Sequence, residues 1–169
     1  KELSLPSQGF TVSTLHGLAL NIATRHPELS GLNLSRMTLV SPSQSSRLIR
    51  ACVEQWISAN PQAYQQLLEG QQVDSEETER LRRQSVLRSE VLPELAFTAI
   101  HEAKSSGLLP QDLQDLSRNA EFRPSPNGAT YDVLAIAAGL YDRYQTLLQS
   151  RGYIDYDEMI LAALRVLEN

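Results

Sequence analysis

Residues 41–57 read Ser41-Pro42-Ser43-Gln44-Ser45-Ser46-Arg47-Leu48-Ile49-Arg50-Ala51-Cys52-Val53-Glu54-Gln55-Trp56-Ile57, and this stretch decides the fold class. A serine that can cap, a proline at the first helical position and a glutamine three after the cap form a helix-start signature. Leu48, Ile49, Cys52, Val53, Trp56 and Ile57 then recur at three- and four-residue spacing, which puts them on one face of a helix. A helix with one apolar face must bury it against another element. The rest of the chain supplies more helices of the same kind.

Upstream, Phe10-Thr11-Val12-Ser13 is short and β-branched and predicts a strand. It leads into Thr14–His26, where Leu15, Leu18, Ala19, Ile22 and Ala23 repeat at helical spacing and Pro27 ends the run. Met37-Thr38-Leu39-Val40 predicts a second short strand. Downstream, Asn60-Pro61 breaks the chain before a short helix around Ala63–Leu68, and Gly70-Gln71-Gln72 is a polar turn. Asp74-Ser75-Glu76-Glu77 opens a charged helix expected to run to about Val91. Pro93 is expected to start the next helix, with Leu95, Ala99, Ile100 and Ala103 on its apolar side and Gly107 as a left-handed C-cap. Leu109-Pro110 starts a shorter helix through Leu116, and Arg123–Gly128 has loop composition. Thr130 caps a long helix carrying Leu134, Ala137, Tyr141, Tyr144 and Leu148, closed by Gly152. Asp155 caps the last one, with Glu158 three residues on and Met159, Ile160, Ala163, Leu164 and Leu167 behind. The periodicity therefore predicts helix on helix, with at most two small strands.

At 169 residues and 41% hydrophobic content, one ordinary globular domain is expected. Cys52 is the only cysteine, which excludes an internal disulfide and suits a reducing compartment. Its place on an apolar stripe reads as a buried structural thiol. No apolar run approaches the ~20 residues that span a bilayer and no basic-then-apolar leader opens the chain, so the expectation is a soluble, cytoplasmic protein with no membrane partner. The formal net charge of −5 is unlike that of a dedicated nucleic-acid module. Arg80, Arg82, Arg83 and Arg88 are interleaved with Glu77, Glu79 and Glu90, the pattern of an ion-paired solvated helix face.

The common catalytic signatures are missing from this sequence. It contains no GxxxxGK[ST] phosphate loop, no nucleophile elbow and no cysteine–histidine set with zinc spacing. His16, His26 and His101 lie far apart, without an evident carboxylate partner. Thr14 and His16 stand at the start of a helix, where free N–H groups and the helix dipole suit an anion. They read either as contacts to a phosphate oxygen or, more plainly, as a helix cap and an exposed imidazole. Asp155 and Asp157 read as an N-cap and a first-turn carboxylate.

Four segments carry a resemblance. Val12-Ser13-Thr14-Leu15-His16-Gly17-Leu18-Ala19 resembles the Thr-x-His motif of UvrD/Rep/PcrA-like superfamily 1 DNA helicases. Thr38-Leu39-Val40 followed by Ser41–Trp56 is similar to that family's next strand and helix. Ala103-Lys104-Ser105-Ser106-Gly107-Leu108-Leu109-Pro110 resembles its AKNxGLxP passage. Tyr141-Asp142-Arg143-Tyr144 and Tyr153-Ile154-Asp155-Tyr156-Asp157-Glu158-Met159-Ile160 resemble its Tyr-x-x-Tyr helix and Leu-Asp-Phe-Asp-Asp-Leu motif. Their order and spacing agree across almost the whole chain. Leu15 departs from an aromatic in the family pattern, Tyr156 from phenylalanine and Glu158 from aspartate.

The resemblance implies a mainly α fold: a helical-bundle subdomain with one or two short strands that belong to a truncated α/β core. It implies that residues 1–40 are a remnant of the helicase core, 41–130 a helical insertion and 131–169 helices that return to the core. It further implies an internal piece of an ATP-dependent DNA helicase, whose ATP- and magnesium-binding motifs lie in the parent outside this stretch. Such a fragment would be inactive alone and need no cofactor of its own. The implied partners are single-stranded DNA, the duplex junction and the remaining helicase domains. Thr14, His16 and Lys104 are the implied DNA contacts, and Tyr141, Tyr144, Asp155 and Asp157 the structural motif residues. A helical protein-interaction module without DNA activity is the competing reading, favoured by the acidic charge.

Overall fold

The structure is a computed structural model and describes residues 13–33, 36–69, 77–119 and 133–169. The capping box read at Ser41 forms: Ser41 Oγ accepts from Gln44 N–H at 3.3 Å, and Gln44 Oε1 accepts from Ser41 N–H at 2.8 Å. The helix it opens, α3 (Pro42–Ala59), buries Leu48, Ile49, Cys52, Val53 and Trp56. That stripe packs with α4 (Pro61–Glu69), α6 (Leu92–Ser105), α7 (Pro110–Arg118) and α8 (Val133–Ser150) around one large hydrophobic cluster. Tyr141, Leu140, Leu148 and Tyr144 come into it from α8, and Leu92, Ala96 and Ile100 from α6. Each fully buried aliphatic or phenyl-sized side chain contributes about 1.5–3 kcal/mol. The mainly α class is as the periodicity predicts.

A smaller layer lies beside it. Helices α1 (Leu15–Arg25), α2 (Pro27–Ser30) and α9 (Tyr156–Leu167) enclose a second cluster of Ala23, Leu32, Met37, Ile154, Met159 and Ala162. Alanines at 19, 23 and 162 let α1 and α9 approach closely. The layer includes a parallel pair, β1 (Thr38–Leu39) and β2 (Tyr153–Ile154), in register Thr38↔Tyr153 and Leu39↔Ile154. Thr38 N–H donates to Gly152 O at 2.8 Å and Val40 N–H to Ile154 O at 2.9 Å. Gly152 has φ 63°, and a Cβ there would meet Arg36 O at 3.2 Å, so the turn into β2 calls for glycine. The strand expected at 37–40 is present at its centre; its partner, Tyr153–Ile154, carries no strand signal of its own because two residues are too few to show alternation. Of the strand read at Phe10–Ser13 only Ser13 is described, and it is not in a strand; of the capping box read at Asp74–Glu77 only Glu77 is, the first residue of the charged helix; the loop at 123–128 and the Thr130 cap lie outside the described residues.

One boundary differs from the sequence reading. The chain does not break before Pro93: α5 (Glu77–Val86) continues through a π-helical turn, Leu87–Val91, straight into α6. Leu92 N–H reaches back to Leu87 O, and Val91 and Leu92 keep helical dihedrals. Proline has no N–H for the carbonyl four residues earlier. Here that carbonyl, Ser89 O, accepts instead from Arg50 Nη1 of α3 at 2.9 Å. The wider turn and the external donor together let the helix pass a residue that normally ends one.

Gly107 ends α6 as read, with φ 73°. Leu108 N–H bonds Ala103 O at 2.8 Å and Gly107 N–H bonds Lys104 O at 3.0 Å, the paired bonds of a Schellman motif. Among the described residues no helix is long and apolar enough to cross a membrane.

Candidate nucleic-acid interface

The corner at the start of α1 is built from local chemistry. Thr14 holds extended dihedrals (φ −72°, ψ 160°), and its Oγ1 accepts from Gly17 N–H at 3.1 Å. The hydroxyl is therefore the helix cap, which leaves Leu15 and His16 as first-turn residues whose N–H groups have no intrahelical acceptor. Thr14 is exposed and His16 half-buried. The His16 ring meets the Tyr156 ring edge to face, with centroids 5.1 Å apart and planes at 86°. Tyr156 is the first residue of α9, so the Thr14/His16 corner and the Asp155 helix start are neighbours on one surface.

Behind Tyr156 lies a buried ionic network. Asp155 is the N-cap: its Oδ1 accepts from Glu158 N–H at 2.8 Å. Its Oδ2 accepts from Lys104 Nζ at 2.7 Å and from Tyr144 OH at 3.0 Å. Lys104 also faces Glu158 Oε2 at 3.6 Å, and Glu158 pairs with Arg165 at 3.0 Å and accepts from Gln145 Nε2 at 2.9 Å. The ammonium sits 5.5 Å from the centroid of the Tyr144 ring and 6.0 Å from that of Tyr141. Burial, then the nearby carboxylates, push both tyrosine hydroxyls well above their ordinary range. They stay protonated and serve as donors, Tyr141 to Leu108 O at 3.2 Å.

These positions revise one expected contact. The Lys104 side chain is 0% exposed and committed to two carboxylates, so it offers no surface to a phosphate. Its place is in the core beside Tyr141 and Tyr144. Asp157 is partly exposed and bonds His101 Nδ1 at 3.1 Å. That hydrogen bond, more than the charge itself, raises the His101 pKa above its ordinary value. The sequence offered no partner for His101 because Asp157 lies 56 positions away. The one available hint was spacing, since His101 and Lys104 share a face of α6 and Asp155 and Asp157 share the first turn of α9.

Other groups are accounted for as bystanders. In the arginine cluster Arg82 pairs with Glu79 at 3.8 Å and Arg88 with Glu54 through Nε–Oε1 at 2.8 Å. Burial pushes the Cys52 thiol up to about 11, which keeps it protonated and unreactive at neutral pH. Among the described residues no group of three or more His, Cys, Asp or Glu could hold a metal ion. A cleft of about 640 Å³ opens between α7, α8 and the smaller layer, lined in part by Gln114, Asp142, Gln145 and Arg165. Gln145 Oε1 is buried there without a bond.

What the corner can do chemically is present a capped helix start, an imidazole and an aromatic ring side by side, a set suited to a sugar–phosphate chain. The chain matches the family model for the UvrD/REP helicase N-terminal domain over residues 2–169. No curated protein and no solved structure matches it. With a family match spanning nearly its whole length, the chain belongs to the UvrD/REP helicase N-terminal domain family.

Proposed function

We propose that this chain is the part of an ATP-dependent DNA helicase that holds single-stranded DNA by its backbone, at the Thr14/His16 corner. The observation that carries the reading is the ring contact between His16 and Tyr156, which joins the two most motif-like segments at one surface. ATP and magnesium act in the parent protein and supply the free energy of translocation. The work of these residues is to hold the strand between steps. Thr14 sets the helix start, the N–H groups of Leu15 and His16 face an incoming phosphate oxygen, and the imidazole adds a donor. Contacts of this kind track the backbone without reading sequence, so binding is expected to be weak, sequence-tolerant and salt-sensitive. The chain alone should not hydrolyse ATP, and a cytoplasmic location fits this work.

Residues 1–40 would then be a piece of the helicase core, 41–130 the helical insertion near the duplex junction, and 131–169 the return. Two separate clusters support a core part and an insertion part. Residues from Val40 to Leu148 fill the larger and residues from Ala23 to Met37 share the smaller with Ile154, Met159 and Ala162. α8 packs with the insertion and α9 with the core remnant.

Titration of a labelled single-stranded oligonucleotide at low salt tests the proposal. Wild type should bind with an affinity that falls as salt rises, and His16→Ala should weaken it about tenfold, the loss of one hydrogen bond to a charged group. Binding that is absent, or indifferent to salt and to His16→Ala, would point to a protein-interaction module, which the net charge of −5 favours.

A further inference from the structure

Tyr156, the ring against which His16 rests, is bracketed by two carboxylates, and each is tied to the same turn of α6. Asp155 bonds Lys104 at 2.7 Å and Asp157 bonds His101 at 3.1 Å. His101 and Lys104 are three residues apart, so they lie on one face of α6 one turn from each other. Asp155 is fixed by its cap bond to Glu158 N–H, and Asp157 rides on the first turn that the cap sets. We propose that α6 positions the DNA-binding corner through these two clamps, Lys104 on Asp155 and His101 on Asp157, which together hold Tyr156 against His16. The inference rests on the reading of Thr14/His16 as a DNA contact for its consequence, but its geometry stands without DNA.

The clamps differ in kind. Lys104 and Asp155 are 0% and 8% exposed at the side chain, so that pair is dry. His101 and Asp157 are 53% and 28% exposed, and that pair exists as an ion pair only while the imidazole is protonated. The charges acting on His101 are Asp157 and Asp155 of α9 and Glu102 of α6 itself, with Phe97 stacked on its ring at 6.4 Å. The groups that α8 presents to this turn, Tyr141 and Tyr144, surround Lys104 instead. The raised His101 value means the second clamp carries its full charge below the ordinary histidine pKa of 6.5 and weakens to a neutral hydrogen bond as pH climbs through the raised one. One clamp sets the corner's position and the other adjusts how firmly it is held near neutral pH. Lys104 and His101 act through the two aspartates, so both are positioning residues.

The test follows the Tyr156 ring by NMR in the 169-residue chain from mildly acidic to mildly alkaline pH, alongside oligonucleotide affinity. Tyr156 should show a titration component with the same midpoint as the His101 ring. His101→Asn at an exposed position and Asp157→Asn at a partly exposed one should each remove that component while amide dispersion is kept. In wild type, affinity should drop across the same interval by at most about fivefold, the scale of an exposed ion pair, and that drop should be missing in His101→Asn. A Tyr156 ring with no component at the His101 midpoint, or one whose titration in the two variants is unchanged from wild type, overturns the clamp. If Tyr156 follows His101 but no oligonucleotide binds, the clamp stands and the DNA reading fails. If His16-dependent binding is seen while Tyr156 ignores His101, the reverse holds.

Discussion

The Lys104 ammonium lies out of solvent, 2.7 Å from Asp155 Oδ2 and 3.6 Å from Glu158 Oε2. Taking one charge from a buried pair strands the other in a medium that cannot solvate it, a loss of about 3–5 kcal/mol. Lys104→Ala should therefore lower the unfolding free energy by that amount in urea melts. The double replacement Lys104→Met with Asp155→Asn, which leaves no bare charge and keeps a capping side chain, should cost clearly less; an equal cost would mean that the ion pair is not the source. The same residues mark where a sequence stops being legible. Thr14 and Asp155 were readable as caps because a cap bonds a neighbour three residues on. The second bond of Asp155 spans 51 positions, and no local pattern announces it. Lys104 could be read only as a lysine near a motif, and its burial among Tyr141 and Tyr144 is a tertiary fact.

At the scale of elements, the run from α5 through the π turn into α6 depends on an arrangement around Pro93. The carbonyl that proline leaves unbonded, Ser89 O, takes the Arg50 guanidinium of α3. Arg50→Ala should destabilise the protein by about 0.5–1.5 kcal/mol, the net worth of one hydrogen bond. Adding Pro93→Ala should restore part of this, since an alanine N–H can reach the vacant carbonyl. A double-mutant cycle in thermal or chemical denaturation would read the coupling, and strict additivity would count against it. Helix starts at 41 and 155 and the glycine stop at 107 were legible because each is a local stereochemical rule. The continuity across residue 93 was not, because a proline is ordinarily a break and the compensating donor comes from another helix.

In the whole molecule, the large cluster draws on residues that follow one another along the chain from Val40 to Leu148, whereas the small one joins segments from the two ends. Its reach is plain in Arg165, which bonds the carbonyl of Ser30, 135 positions away. Native-state hydrogen exchange should show the amides of α3 and α8 protected longest. Those of α5, which buries no side chain, should exchange soonest, with α1 and α9 in between. Uniform protection would contradict this division. The mainly helical class was legible from repeated 3.6-residue spacing and β1 from Met37–Val40, but the pairing with β2 was not, since two residues are too few to show alternation. That pair has a kinetic consequence. A long loop must close before Thr38 can meet Tyr153, and loop closure costs entropy before any contact repays it. The helices of residues 42–150 can condense early and carry their two ends toward each other. The Thr14/His16 corner should then take its final shape late on the folding pathway, after the large cluster has formed.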